Sequence, residues 1–166
     1  RFVMVSQAGE IQADEGGAVS IKGSVFTIPD IRIPNPPVEL DLNGVGPLHA
    51  MMSLLNNKPF EFSKKAGRGV DDVQARANIS AKVFSFFKKD IKLADVDLRI
   101  DGTLTNVVSD VLIPGKSLKA KTLKISVSKD LLVLSGSGEL SGVPFVAEWT
   151  QPRSEPDLPS QIKANL

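Results

Sequence analysis

Few side chains in this sequence could do chemistry, and each pattern that approaches a known chemical motif lacks a part. The run from Asp110 to Ser117 ends Gly115-Lys116-Ser117, like a phosphate-binding loop. That loop needs a glycine five positions before Gly115, where the chain carries Asp110, and a carboxylate there would repel phosphate. A turn between strands is the reading that remains. Gly136, Gly138 and Gly142 are spaced one residue too wide for a dinucleotide fingerprint and precede strand-like sequence instead of a helix. They suit bulges and twist where a strand bends. His49 is the only histidine, so a zinc site or a histidine-based triad lacks its parts. Asp95, Asp97 and Asp101 alternate along one strand-like segment, which raises paired-carboxylate or calcium chemistry. Arg99 sits among them and no glycine-rich loop wraps a cation, so they read as a solvated strand face. Asn78-Ile79-Ser80 matches a glycosylation sequon inside the same kind of segment. Lys116, Lys119, Lys121 and Lys124 form one basic stretch, and Lys88, Lys89 and Lys92 another. Solubility is the simpler role for both, contact with anionic lipid head groups the sharper one. No catalytic residue, metal ligand or cofactor is assigned, and the chain is expected not to be an enzyme.

The composition narrows the classes further. With 166 residues the chain fits one domain able to bury its own core. It has no cysteine, which excludes disulfides, thiolate nucleophiles and cysteine-bound metals. The net charge is +1, with no Tyr and one Trp, so neither the global field nor the stacking surface of a nucleic-acid binder is present. No stretch approaches the roughly 18 apolar residues of a membrane span. Because Arg1 is followed at once by strand-like sequence, the chain is expected to be a piece of a longer protein.

The elements that position these residues follow a period of two. Val73, Ala75, Ala77, Ile79, Ala81 and Val83 alternate with polar residues, as do Val96, Leu98, Ile100 and Leu104, then Leu123, Ile125 and Val127. Val143, Phe145, Ala147 and Trp149 share one side of the last alternating run. One segment breaks the period: after Pro47, residues Leu48, Met51, Met52, Leu54 and Leu55 make an apolar stripe that predicts a short helix over 47–57. Residues 63–72 read as a polar connection and 153–166 as a Pro-rich linker or the start of a further unit. The expected fold is mainly β over 1–152: a curved antiparallel sheet, an open groove or taco-like meander, with one short helix. The alternating apolar sets are the candidate site, either the lining of a groove or one side of a closed core, since a strand face reads the same against acyl chains or side chains.

Taken in succession, "LLNNKPFEFSKKAG", "ANISAKVFSFFKKDIKLADVDLRIDGTLTNV" and "LKAKTLKISVSKDLLVLSGSGELSGVPFVAEWT" resemble the AsmA-like bacterial envelope proteins, in particular a domain of unknown function in the YhdP-like members. The resemblance spans residues 18–150 and rests on the order of parts, ending on Trp149. It implies a Gram-negative protein anchored in the inner membrane by a helix outside this sequence, its bulk in the periplasm as a long open sheet. The implied function is shielding of phospholipid acyl chains in transport between inner and outer membrane. The implied partners are phospholipid, other segments of the same long chain and other envelope proteins, but not nucleic acid. The alternative is an interaction domain of an outer-membrane assembly factor that binds protein by strand addition.

Overall fold

The structure, a computed structural model, describes residues 1–57, 72–153, 159 and 161–165. Most of the connection expected over 63–72, and the Lys58-Pro59 pair, lie outside them. Among the described residues the chain forms eleven strands and one α-helix: β1 (Phe2–Val5), β2 (Glu10–Gln12), β3 (Ala18–Ser20), β4 (Val25–Ile28), β5 (Pro37–Pro47), α1 (Leu48–Asn56), β6 (Gln74–Phe86), β7 (Asp97–Ile113), β8 (Lys116–Val127), β9 (Leu131–Leu140), β10 (Val143–Pro152) and β11 (Gln161–Asn165). All belong to one sheet in the order β1-β4-β5-β6-β7-β8-β9-β10-β11, with the β2–β3 hairpin joined through β3 to β5. Every pairing is antiparallel and the sheet does not close on itself. The expected architecture is the one observed.

The helix begins where the apolar spacing predicts it. Pro47 is its N-cap, with extended backbone, and still pairs with Arg76 as the last residue of β5. Leu48, Ala50, Met51 and Met52 are buried against the sheet. They join Ala13 and Val19 from the first hairpins, Val73 just before β6, and Ala77, Leu104, Val107, Ala120 and Leu123 from β6–β8 in one cluster. A second cluster of Ala81, Val96, Leu98, Ile100 and Val127 lies farther along the same strands and contains no helix residue. Val127 is only 2% exposed, within a cluster against which Leu42, Ile79, Val83, Ile125 and Leu132 pack.

Two bulges help the long strands bend. Ala75 of β6 faces both Asn106 and Val107 of β7, because Arg76 pairs with Thr105 and Gln74 with Val108. On β8 Ala120 and Lys121 occupy the span opposite Gly138, because Lys119 pairs with Glu139 and Thr122 with Ser137. Asn106 has a φ of 54°, a left-handed conformation that asparagine tolerates better than most residues. Val107 pairs with Ala120, so the bulges lie side by side. Each inserts one residue into its strand and thereby returns apolar side chains to the inner face beyond it.

The segment 153–166, read as a linker or a further unit, contributes β11 to this same sheet. Gln161 to Asn165 pair with Thr150 to Val146.

Candidate functional site

The pairing register places the expected apolar sets on one face of the sheet. Leu40, Leu42 and Gly44 of β5 stand opposite Val83, Ala81 and Ile79 of β6, which stand opposite Leu98, Ile100 and Gly102 of β7. Ile100, Gly102 and Leu104 face Val127, Ile125 and Leu123 of β8. These in turn face Leu132, Leu134 and Gly136 of β9. Leu134, Gly136, Gly138 and Leu140 then face Trp149, Ala147, Phe145 and Val143 of β10, and Trp149 and Ala147 face Ile162 and Ala164 of β11. Ala75 of β6 and Val73 just before it extend the set within the helix-covered cluster, and Val96 joins the second cluster just before β7. In antiparallel ladders directly opposed residues point the same way, so this is one continuous apolar surface.

Its cover is uneven. At one end of β5–β8 the helix and the first hairpins pack on it, and Ala77, Leu104 and Val107 are buried there; farther along the same strands the second cluster is covered by its own side chains. Over β9–β11 no other element among the described residues lies on it: Leu132, Leu134, Phe145, Ala147 and Trp149 are half-exposed, and Ile162 is 65% exposed. Gly136 has a φ of 151°, and a side chain on Gly138 would run into the Lys119 carbonyl and the Phe145 ring. The glycines of the last hairpin therefore let β9 lie close against β8 and let Phe145 lie over the bare backbone.

The charged groups occupy the opposite face and the turns. Asp101 accepts a hydrogen bond from the Ser126 hydroxyl at 2.8 Å, and Lys82 approaches Asp41 at 3.9 Å. Asn78 and Ser80 are exposed on that side, as are Lys119 and Lys124. Asp97 and Asp101 lie on the solvated strand face as expected, but Asp95 does not. Asp95 ends a turn of 3₁₀ helix (Leu93–Asp95) before the strand starts. There it binds the Lys88 ammonium at 2.7 Å and the Lys92 backbone N–H at 2.9 Å. Those two contacts, the Lys88 one first, hold its carboxyl below the usual 3.8. Asp30 is likewise lowered by Arg32, which it grips at 2.8 Å in the β4–β5 connection. Arg153 is lowered by burial.

The remaining chemical candidates are placed as ordinary structure. Pro114 and Gly115 turn the chain from β7 into β8, and Gly115 has a φ of 72°. The His49 Nε2 lies 3.3 Å from a carboxylate oxygen of Glu15, on the outer side of the helix. Among the described residues no three His, Cys, Asp or Glu side chains converge as a metal site would need, and no helix is long and apolar enough to cross a membrane.

An open hollow of about 830 Å³, which the sequence did not announce, crosses β7–β11 at the bulges. Most side chains bordering it, including Val108, Lys119, Pro144 and Val146, alternate to the polar side, so it is distinct from the apolar face. Its only sequence signal is the step of three between apolar residues at Leu104–Val107 and Ala120–Leu123. Comparison of the chain with protein-family models, curated proteins and solved structures found no match.

Proposed function

We propose that this chain is a non-enzymatic module that shelters lipid acyl chains on the apolar face of its sheet, as part of phospholipid transport between the two membranes of a Gram-negative envelope. The observation that carries this reading is the uncovered half of the face. From β9 to β11 a strip of Leu, Phe, Ala, Trp and Ile side chains continues the core outward, and no second layer among the described residues seals it. An acyl chain gains about 0.8 kcal/mol for each CH₂ removed from water, so a strip only a few side chains long binds one. A periplasmic location and the AsmA-like family follow from the sequence resemblance and belong to the same proposal.

The test is photo-crosslinking in cells. A photoreactive residue at Leu134 or Phe145 captures phospholipid, and one at the outward Ser135 or Glu148 does not. Equal capture from both faces, or none from the inner positions in a protein that still folds, would remove lipid from the proposal.

A further inference from the structure

The hollow at the bulges gathers charged and apolar side chains on the side of the sheet away from the apolar face. Lys119 and Lys121, two residues apart on β8, both border it. Both are exposed, and among the described residues neither takes part in a hydrogen bond or an ion pair. Like charges so close along one strand repel each other, and an anion between them removes the repulsion. Across the hollow, on β10, the border turns apolar: Pro144 is exposed and Val146 is 60% exposed. Ser137 of β9 stands opposite Val146 and adds a hydroxyl between the two regions. One carboxylate borders the hollow, that of Glu139, which stands between Lys119 and Pro144 in the ladder. A volume of about 830 Å³ is in the range of sites for small organic molecules.

We propose that this hollow is a binding site for a phosphate monoester with a short apolar body. Charge fixes the head group. A phosphate monoester carries about two negative charges at neutral pH and several acceptor oxygens, which match two ammonium groups and the Ser137 hydroxyl, whereas a carboxylate brings one charge. The exposed Val146 and Pro144 fix the rest of the ligand, because an apolar body laid over them leaves water along with them. Glu139 repels a second anionic group, which disfavours polyphosphates and nucleic-acid backbones. The hollow and the lipid strip of β9–β11 lie on opposite sides of the sheet, so either can fail without the other.

The experiment is a titration of the chain with hexyl phosphate, followed by amide NMR. The amides of Lys119, Lys121, Ser137 and Glu139 should shift and saturate. Inorganic phosphate should bind at least about tenfold more weakly, since it has no CH₂ groups to bury. Lys119→Gln and Lys121→Gln should each weaken hexyl phosphate by about fivefold, the upper range for an exposed charge pair. Glu139→Gln should tighten it. Lys116→Gln, in the same basic stretch but outside the hollow, should leave it unchanged; all four side chains are exposed, so these variants keep the fold. Sedimentation with phosphatidic acid vesicles assigns the source of the phosphate: pelleting that is lost in Lys121→Gln places it on a lipid, and binding of hexyl phosphate without pelleting places it on a soluble compound. Equal weakening by Lys116→Gln would reduce the site to diffuse surface charge and overturn the proposal. Inorganic phosphate binding as tightly as hexyl phosphate would overturn it too, as would shifts confined to Leu134 and Trp149 on the other face.

Discussion

Gly138 lies where β8, β9 and β10 pack closely against one another. A Cβ there would collide with the Lys119 carbonyl and come within 3.0 Å of both the Ala120 Cβ and the Phe145 ring. The carbonyl belongs to the ladder and cannot swing aside, so Gly138→Ala should cost about 1–3 kcal/mol, the range for overpacking. Gly142, at the β9–β10 turn with open space around it, has a φ of 84°. Gly142→Ala should cost less, on the order of 1 kcal/mol from left-handed strain alone. Urea unfolding of the two variants checks the order, and a smaller loss at Gly138 would mean that β9 does not approach β8 as closely as described. Asp95 supports a prediction in pH. Its folded pKa is depressed, so its contribution is complete above the usual carboxylate value of 3.8 and is lost as pH falls through the folded value. Asp95→Asn should therefore lower the urea midpoint at pH 7, and the gap to the parent protein should close as the pH drops below 3.8. A gap that persists unchanged in acid would show that the Lys88 pairing contributes nothing.

Among the elements, α1 is the one that seals. Met51 is 5% exposed, and its methyl would touch a side chain placed on Gly44. Met51→Ala should leave a cavity and cost about 2–5 kcal/mol in chemical denaturation, whereas a loss under 1 kcal/mol would mean that the helix rests loosely on the sheet. The helix was legible because its apolar residues recur at helical spacing in a chain that otherwise alternates. The strands were legible because one side of each is dry, so Leu98 and Ile100, or Ile125 and Val127, declare their side by composition. Other features were hidden for physical reasons. A bulge shifts the phase by one residue, so beyond Asn106 strict alternation would assign Val107 to the wrong side. The strand β11 carries mostly polar residues behind a proline-rich stretch, and its pairing with β10 is a long-range choice with little local signature. Asp95 looked like a strand residue because its spacing from Asp97 fits, yet its bonds to Lys88 and Lys92 hold it in a turn. Which half of the apolar face lies open depends on where α1 and the first hairpins settle, and no strand sequence encodes that.

At the scale of the whole molecule, the single Trp149 is a built-in probe of the uncovered half. With no tyrosine and no other tryptophan, the indole emission of the chain comes from one half-buried residue on the inner side of β10. A phospholipid brominated on its acyl chains should quench that emission, and its unbrominated counterpart should not. Gly136→Val, which crowds Leu123 on the inner face beside Ala147, should weaken the quenching. Unchanged emission with both lipids would count against acyl chains reaching this part of the sheet.

The strand order also has a consequence for how the molecule assembles. From β4 to β11 each strand hydrogen-bonds to the next strand in the chain. Apart from the closures of β1 onto β4 and of β3 onto β5 and the connection holding α1, the ladder is built from hairpins between consecutive segments. Contacts between near neighbours in sequence carry a small loop-closure cost, so such a sheet folds faster than one whose strands must find distant partners. It also comes apart in order. Each strand depends chiefly on the two beside it, as repeats do in a linear array, so opening should begin at β11, whose residues are exposed throughout, and travel inward toward the helix-covered strands β6 and β7.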